Sequence, residues 1–109
     1  MFWQVGHEEG LYALHDIQLG LCGNVSIYLW SPRIMGEQGL WRHKEMLKYL
    51  FNAFDLTRIG ATIAVPNKLS QAMADAMGFS KEGLARNWGY YKGNMTDWYT
   101  YSILPNEVF

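Results

Sequence analysis

Residues 25–79 constrain the fold more than any other part of this chain, because they alternate between strand-like and helix-like patterns. Residues 25–30 alternate apolar and polar side chains, which is typical of a strand. A glycine-containing turn leads into a helix over residues 37–55, and residues 58–65 form a second strand. A second helix then ends before Gly78. Strand, crossover helix and strand make a βαβ unit, so the two strands are predicted to be parallel.

Each predicted helix carries an apolar stripe, which indicates the side that faces the core. In the long helix the stripe consists of Leu40, Leu47, Leu50, Phe51 and Phe54. His43 is expected at the surface or at a boundary. In the second helix Asn67 is a good N-cap and Gly78 suits the left-handed residue that ends a helix. The side predicted to be buried there consists of Leu69, Ala72, Met73 and Ala76.

The rest of the chain extends this unit at both edges. Besides the strand at residues 58–65, the predicted strands are residues 2–6, 11–17, 24–30, 82–91 and 98–104. The first three form an antiparallel meander, and a turn at residues 92–94 joins the last two. The sequence thus predicts about six strands and two helices in one α/β domain covering residues 1–109.

Composition excludes several classes of protein. The chain has 109 residues and a net charge of −1, so nothing suggests electrostatic attraction to nucleic acid or to an acidic membrane. Cys22 is the single cysteine, which rules out an intrachain disulfide and makes an intracellular, cytoplasmic setting the expectation. The spacings of a metal site are absent. No signal peptide or membrane-spanning stretch is recognisable.

An ordered series of motifs in this chain matches a known family. The series consists of Arg58-Ile59-x-Ala61, Asn67-x-x-Ser70, Gly78-Phe79-x-x-Glu82-Gly83-x-x-Arg86, Gly93 and Asp97-x-x-x-Tyr101-Ser102-x-Leu104. It resembles the GCN5-related N-acetyltransferases (GNAT), and among them the ribosomal-protein N-terminal acetyltransferases. The resemblance implies a GNAT-like mixed sheet of about six strands with a central βαβ unit and two main helices. The family's usual first strand and first two helices have no counterpart in the sequence.

The resemblance also implies a binding site for acetyl-CoA. In the family the strands before and after the long helix splay apart, and the cofactor inserts between them. Its pyrophosphate sits on the amides that open the long helix, here residues 34–40. The implied cofactor-binding residues are Trp30, Arg33, Ile34, Gly36, Gln38, Gly39, Leu40, Asn67 and Ser70. Ser70 is also the implied catalytic residue, as a proton donor, although an ordinary helix serine is the alternative.

Four features depart from the family pattern. Gln38 occupies the second small position of the phosphate loop, with Gly39 one residue later. Ala74 stands where many members have a tyrosine that acts as general acid, and Val25 stands where several have a glutamate that acts as base. His15 or Asp16 could substitute for that glutamate, but neither position matches. The fourth departure is the missing amino-terminal elements, which form one wall of the acceptor site in the family.

Two functions follow from the resemblance. The first is an acetyl-CoA-dependent N-acetyltransferase that transfers acetyl to an amine. The alternative is a non-catalytic acetyltransferase-fold structural or assembly protein, for example a tailed-phage virion or head-assembly component. In either case the strand at residues 2–6 lacks its family neighbour, so the chain is expected to form a homo-oligomer or to dock onto a protein partner.

Overall fold

A computed structural model describes residues 3–7, 10–29 and 37–108, with side chains at residues 14–25 and 40–108. Across these residues the chain forms six strands, two α-helices and a short 3-10 turn at Pro105–Glu107. The strands are β1 (Trp3–His7), β2 (Gly10–Gln18), β3 (Cys22–Leu29), β4 (Arg58–Ala64), β5 (Ser80–Tyr91) and β6 (Asn94–Ile103). The helices are α1 (Glu37–Phe54) and α2 (Lys68–Met77). Neither helix is long and apolar enough to cross a membrane in these ranges.

The strands form one mixed sheet in the order β1-β2-β3-β4-β6-β5. The first three strands are an antiparallel meander, β3 and β4 are parallel, and β4, β6 and β5 are antiparallel. The predicted α/β class and the central βαβ unit are therefore confirmed. The predicted turn is also confirmed, since Lys92 and Gly93 both have positive φ and connect the paired residues Tyr91 and Asn94.

The parallel strands β3 and β4 diverge after a short contact. They pair at Cys22 with Arg58 and continue only to Asn24 with Gly60 in the described residues. Beyond that point β3 stays paired with β2 as far as Leu29, and β4 stays paired with β6 as far as Ala64. The two strands therefore form a V whose vertex is the Asn24–Gly60 pair and whose wide end lies at their carboxyl ends.

Both helices pack on one face of the sheet and share one hydrophobic core. The predicted stripe of α1 is confirmed, with Leu47 and Leu50 fully buried and Phe51 nearly so. The expectation for His43 was wrong, because its side chain is only 1% exposed. It lies four residues before Leu47, one turn along the same stripe, so the helical repeat carries it under the sheet.

The buried side predicted for α2 was wrong except at Met73, which is half-buried and packs against the core, since Leu69, Ala72 and Ala76 are exposed. The structure buries Gln71, Ala74 and Met77, whereas Leu69 is 62% exposed. The Gln71 amide nitrogen donates hydrogen bonds to the carbonyl oxygens of Ala64 at 3.2 Å and Val65 at 2.7 Å. A polar side chain thus ties α2 to the end of β4, and this rotates the helix away from the purely apolar face that the sequence favoured.

The predicted ends of α2 are confirmed. The side-chain oxygen of Asn67 accepts a hydrogen bond from the backbone N–H of Ser70 at 3.2 Å, as an N-cap does. Gly78 ends the helix with φ of 99°, and its N–H donates to the carbonyl oxygen of Asp75. A Cβ at Gly78 would lie 3.2 Å from the carbonyl oxygen of Glu107, so both backbone shape and space favour glycine.

Candidate functional site

A pocket of about 440 Å³ opens where β3 and β4 diverge. Its lining residues are Val25, Ala61, Thr62, Ile63, Asn67, Ser70, Met73, Ala74, Met77, Phe79 and Trp98. They come from both arms of the V, from α2 and from β6. Successive strand residues point to opposite faces, so the presence of both Ala61 and Thr62 means that the pocket passes through the gap in the sheet.

The direction of α2 defines the two ends of this pocket. The helix starts just after Ala64, at the wide end of the V. The helix leads into β5, whose first residue, Ser80, pairs with Ser102 of β6. Ser102 in turn pairs with Gly60 at the vertex of the V. The first turn of α2 therefore lies at the wide end of the pocket, its mouth. Its last turn lies at the vertex, the floor of the pocket.

Polarity changes from the mouth to the floor. The mouth carries the amide of Asn67 and the hydroxyl of Ser70, both on half-buried residues. The floor carries Met77, which is 1% exposed, and Phe79, which is 7% exposed. Such a gradient suits a ligand with a polar body and an apolar end.

The amino-terminal end of α2 lies at the mouth, because this helix follows the carboxyl end of β4 and its residues Asn67 and Ser70 line the pocket. Helix N-termini present unpaired N–H groups and the positive end of a dipole, which attract anions. The first turn of α2 contains no acidic residue that would oppose this. The N–H groups of Lys68 and Ser70 already donate to the carbonyl oxygen of Pro66 and the side-chain oxygen of Asn67, so the mouth is polar without being an open anion site.

Of the predicted cofactor-binding residues, the pocket lining contains Asn67 and Ser70. Leu40 is half-buried and packs against the core. Gln38 and Gly39 lie in the first turn of α1, where the structure describes the backbone only. Trp30, Arg33, Ile34 and Gly36 lie outside the described residues.

Sequence reasoning missed most of the lining. Met77 and Phe79 are apolar residues at helix-end positions, and such residues are typical of a core, with no pattern that distinguishes a pocket floor. Trp98 lines the pocket from β6, and its ring nitrogen donates a hydrogen bond to the carbonyl oxygen of Gly89 at 3.2 Å across the β5–β6 hairpin. The one available signal was that one face of the strand at residues 58–65 holds only the small residues Gly60, Thr62 and Ala64, which leave room for a helix or a ligand, and Thr62 does line the pocket.

Among the side chains that the structure describes, no lining residue is charged, and His15 and Asp16, the predicted replacements for the family glutamate, lie elsewhere. Val25 is 7% exposed and joins the core. His15 pairs with Asn24 at the vertex, on the face away from the helices. The Nδ1 atom of His15 lies 3.1 Å from a carboxylate oxygen of Asp16, and the amide nitrogen of Asn24 donates to that oxygen at 3.4 Å.

Asp16 is expected to make stability depend on pH in the acidic range. Hydrogen bonds from His15 and then from Asn24 lower its pKa below the ordinary 3.8. A carboxyl group whose pKa is lower in the folded than in the unfolded state stabilises the fold at pH values above its unfolded-state pKa. This stabilisation is lost as the pH falls through the folded-state pKa. We expect Asp16→Asn to flatten the fall in the free energy of unfolding below about pH 4, measured by urea titration at several pH values.

The matched control is Asp55→Asn, because Asp55 is also exposed and also has a left-handed backbone, with φ of 53° against 52° for Asp16. Asparagine tolerates this conformation. Equal pH dependence in Asp16→Asn and the unmodified chain would show that the two hydrogen bonds do not shift the Asp16 carboxyl in solution.

Solved structures that share this arrangement include acetyltransferases. A chimera of the spermidine N-acetyltransferase SpeG from Vibrio cholerae and hSSAT superposes with a TM-score of 0.80 at 22% identity, covering 92% of this chain and 60% of that one. Ribosomal-protein-S5-alanine acetyltransferase from Vibrio fischeri gives a TM-score of 0.77 at 24% identity, covering 93% of this chain and 56% of that one. The chain therefore has the fold of the GCN5-related N-acetyltransferases.

Sequence comparison agrees with the fold. The putative ribosomal N-acetyltransferase YdaF from Bacillus subtilis is 33% identical over an alignment of 116 residues including gaps. This alignment covers 94% of this chain and 61% of the relative. No family model matches the chain. The resemblance to N-acetyltransferases drawn from the motifs is thus confirmed, and the chain spans 61% of the length of this relative.

Proposed function

We propose that the chain is an acetyl-CoA-dependent N-acetyltransferase that transfers acetyl to an amine. The observation that carries the proposal is the divergence of β3 and β4 at Asn24 and Gly60 into a pocket with a polar mouth and an apolar floor. The names of the similar proteins support it. Nothing in these comparisons supports the non-catalytic phage alternative.

The two arms of the V suit the amide-containing arm of the cofactor. Past Gly60, the edge of β4 that faces β3 has no strand partner in the described residues. A strand edge of this kind binds an extended ligand through backbone N–H and C=O groups. Asn67 and Ser70 then lie beside the thioester end, and residues 34–40 remain our predicted phosphate site at the start of α1.

The cofactor supplies an activated thioester, and the protein's part is to position it and to stabilise negative charge on its carbonyl oxygen. Backbone N–H groups along a strand edge are suitable donors, because they are held in place before the reaction. The Ser70 hydroxyl lies in the pocket lining and is our proposed proton donor to the leaving thiolate. Ala74 has no titratable group for this role.

The acceptor is expected to reach the pocket from the face of the sheet away from the helices. Thr62 lies on this face of β4, and so does Ala64, two residues further along the strand. Trp98 of β6 pairs with Ala64 and therefore lies on the same face. The relative YdaF is named a putative ribosomal N-acetyltransferase, which supports a protein acceptor. We propose a protein or peptide N-terminal amine as the acceptor.

Turnover assays test this function. With acetyl-CoA we expect release of free CoA thiol with a peptide that begins with alanine, and a slower release with spermidine. Mass spectrometry of the peptide should show one added acetyl group at its amino terminus. A preparation that binds acetyl-CoA but acetylates neither probe would contradict transfer, and faster reaction of spermidine would contradict the proposed acceptor.

We also propose that the chain, as a single domain over residues 1–109, associates through β1. This strand is at the edge of the sheet and pairs only with β2 in the described residues. Exposed edge strands readily add another strand. Sedimentation at micromolar concentration should show a dimer or larger species. A monomer whose residues 3–7 exchange amide hydrogens slowly would contradict the proposal, because the edge would then be protected within one chain.

A further inference from the structure

The ring of Trp98 is held in one orientation at the side of the pocket. Trp98 is half-buried and belongs to the pocket lining. In the sheet it pairs with Ala85, but its ring nitrogen donates to the carbonyl oxygen of Gly89, four residues further along β5, at 3.2 Å. The ring of Tyr91 meets it at an angle of 87°, with the two ring centroids 6.3 Å apart. A hydrogen bond and an aromatic contact therefore fix the indole from the side of the β5–β6 hairpin.

A bulge in β5 places the carbonyl that binds this ring. The register shifts between Ala85 and Gly89, so that four residue steps of β5 lie opposite two steps of β6. Asn87, inside the bulge, has φ of 48°, and its N–H donates to a carboxylate oxygen of Asp97 at 2.8 Å. The Asp97 carboxylate therefore holds the bulge, and the bulge holds the carbonyl group that orients Trp98. Asp97 is in this sense a positioning residue for Trp98.

The surface that Trp98 gives to the pocket is apolar. The ring nitrogen is the one polar atom of a tryptophan side chain, and here the Gly89 carbonyl occupies it. The ring lies on the same face of the sheet as Thr62, the face from which the acceptor is proposed to enter. In a peptide the first side chain begins only two bonds from the amine nitrogen. An amine that enters the pocket from this face therefore brings its first side chain to the lining as well.

We infer that Trp98 determines acceptor specificity by binding the first side chain of the peptide and favouring an apolar one. The inference rests on the proposed function, because it assumes that a peptide amine enters from this face. Contact with one wall buries about half of a leucine side chain, which favours its binding by roughly tenfold. A polar side chain gains less, because its polar atoms lose water beside a ring that offers them no hydrogen bond.

Two peptides that differ only in a first residue of leucine or asparagine test the inference. Their side chains have nearly the same shape, so the pair isolates polarity. At saturating acetyl-CoA we expect kcat/KM to be roughly tenfold higher for the leucine peptide. Trp98→Ala removes the wall and should bring the ratio of the two kcat/KM values close to one, while Trp98→Phe keeps an apolar ring and should keep leucine preferred. The ratio does not depend on how much of a variant is folded, because both peptides react with the same active fraction.

A second pair of variants tests the positioning role of Asp97. Asp97→Ala removes the group that accepts the hydrogen bond from Asn87 and should lower the ratio. Asp97→Asn keeps an oxygen that can accept this bond and should preserve the ratio. Tyr90→Ala is the matched control, because it removes an aromatic ring that is 72% exposed in the same hairpin and is not in the pocket lining. It should leave the ratio unchanged.

The outcomes separate the inference from the proposed function. Equal kcat/KM for the two peptides in the unmodified chain, or an unchanged ratio in Trp98→Ala, would overturn the inference and leave the proposed function intact. Acetylation of the peptide that begins with alanine, but of neither of these two, would do the same. If no peptide were acetylated, the proposed function would be contradicted, and the inference with it.

Discussion

Replacing Ser70 with alanine is expected to lower turnover by up to roughly 10²–10⁴-fold, the range of one general acid or base. Ser70 lines the pocket, and Ala74 cannot replace it as a proton donor. Because Asn67 accepts its hydrogen bond from the backbone N–H of Ser70, the substitution leaves the N-cap of α2 intact. The measurement is kcat for CoA release, together with the affinity for acetyl-CoA.

Ser80→Ala is the control for this variant, since Ser80 is exposed at the start of β5 and is not in the pocket lining. It should react like the unmodified chain. If Ser70→Ala retained full kcat across the pH range, the leaving thiolate would have to take its proton from water, and Ser70 would have no catalytic role.

Replacing Leu47 with alanine is expected to lower the free energy of unfolding by about 2–5 kcal/mol, because a fully buried side chain is lost and a cavity remains. This is a large part of the stability of a small domain. Leu69→Ala removes the same atoms from the other helix, where the side chain is 62% exposed. We expect that change to stay within about 0.5 kcal/mol.

Urea titration of the two variants provides the comparison. The pair also tests the orientation of α2, because the sequence pattern predicted Leu69 on the buried side. If Leu69→Ala lowered the free energy of unfolding as much as Leu47→Ala, α2 would have to pack through the face predicted from the sequence, and the pocket lining would be different.

Local patterns predicted the elements of the fold well. The stripe of α1, the βαβ unit and the turn at Lys92 and Gly93 each depend on residues close together in the chain. Gly78 was predictable for the same reason, since its place in the sequence matches the end of a helix. These features needed no knowledge of which distant segments meet.

The face of α2 and most of the pocket were not predictable, because they depend on contacts between distant residues. The carbonyl oxygens of Ala64, at the end of β4, and Val65, just after it, accept hydrogen bonds from Gln71 and hold that face of α2 against the sheet. The extent of the β3–β4 contact is set by how each strand pairs with its other neighbour, which the sequence of either strand does not reveal. Val25 and Phe79 look like core residues, and the structure places them at a pocket as well.

Calorimetric titration with acetyl-CoA tests most directly whether the gap between β3 and β4 is a cofactor site. We predict saturable binding in the micromolar range by the unmodified chain. Ala61→Phe should weaken it strongly, because Ala61 lines the pocket one residue beyond the vertex. Ala53→Phe should not, since Ala53 is exposed on α1. No binding by the unmodified chain, or equal binding by Ala61→Phe, would contradict a cofactor site between the two strands.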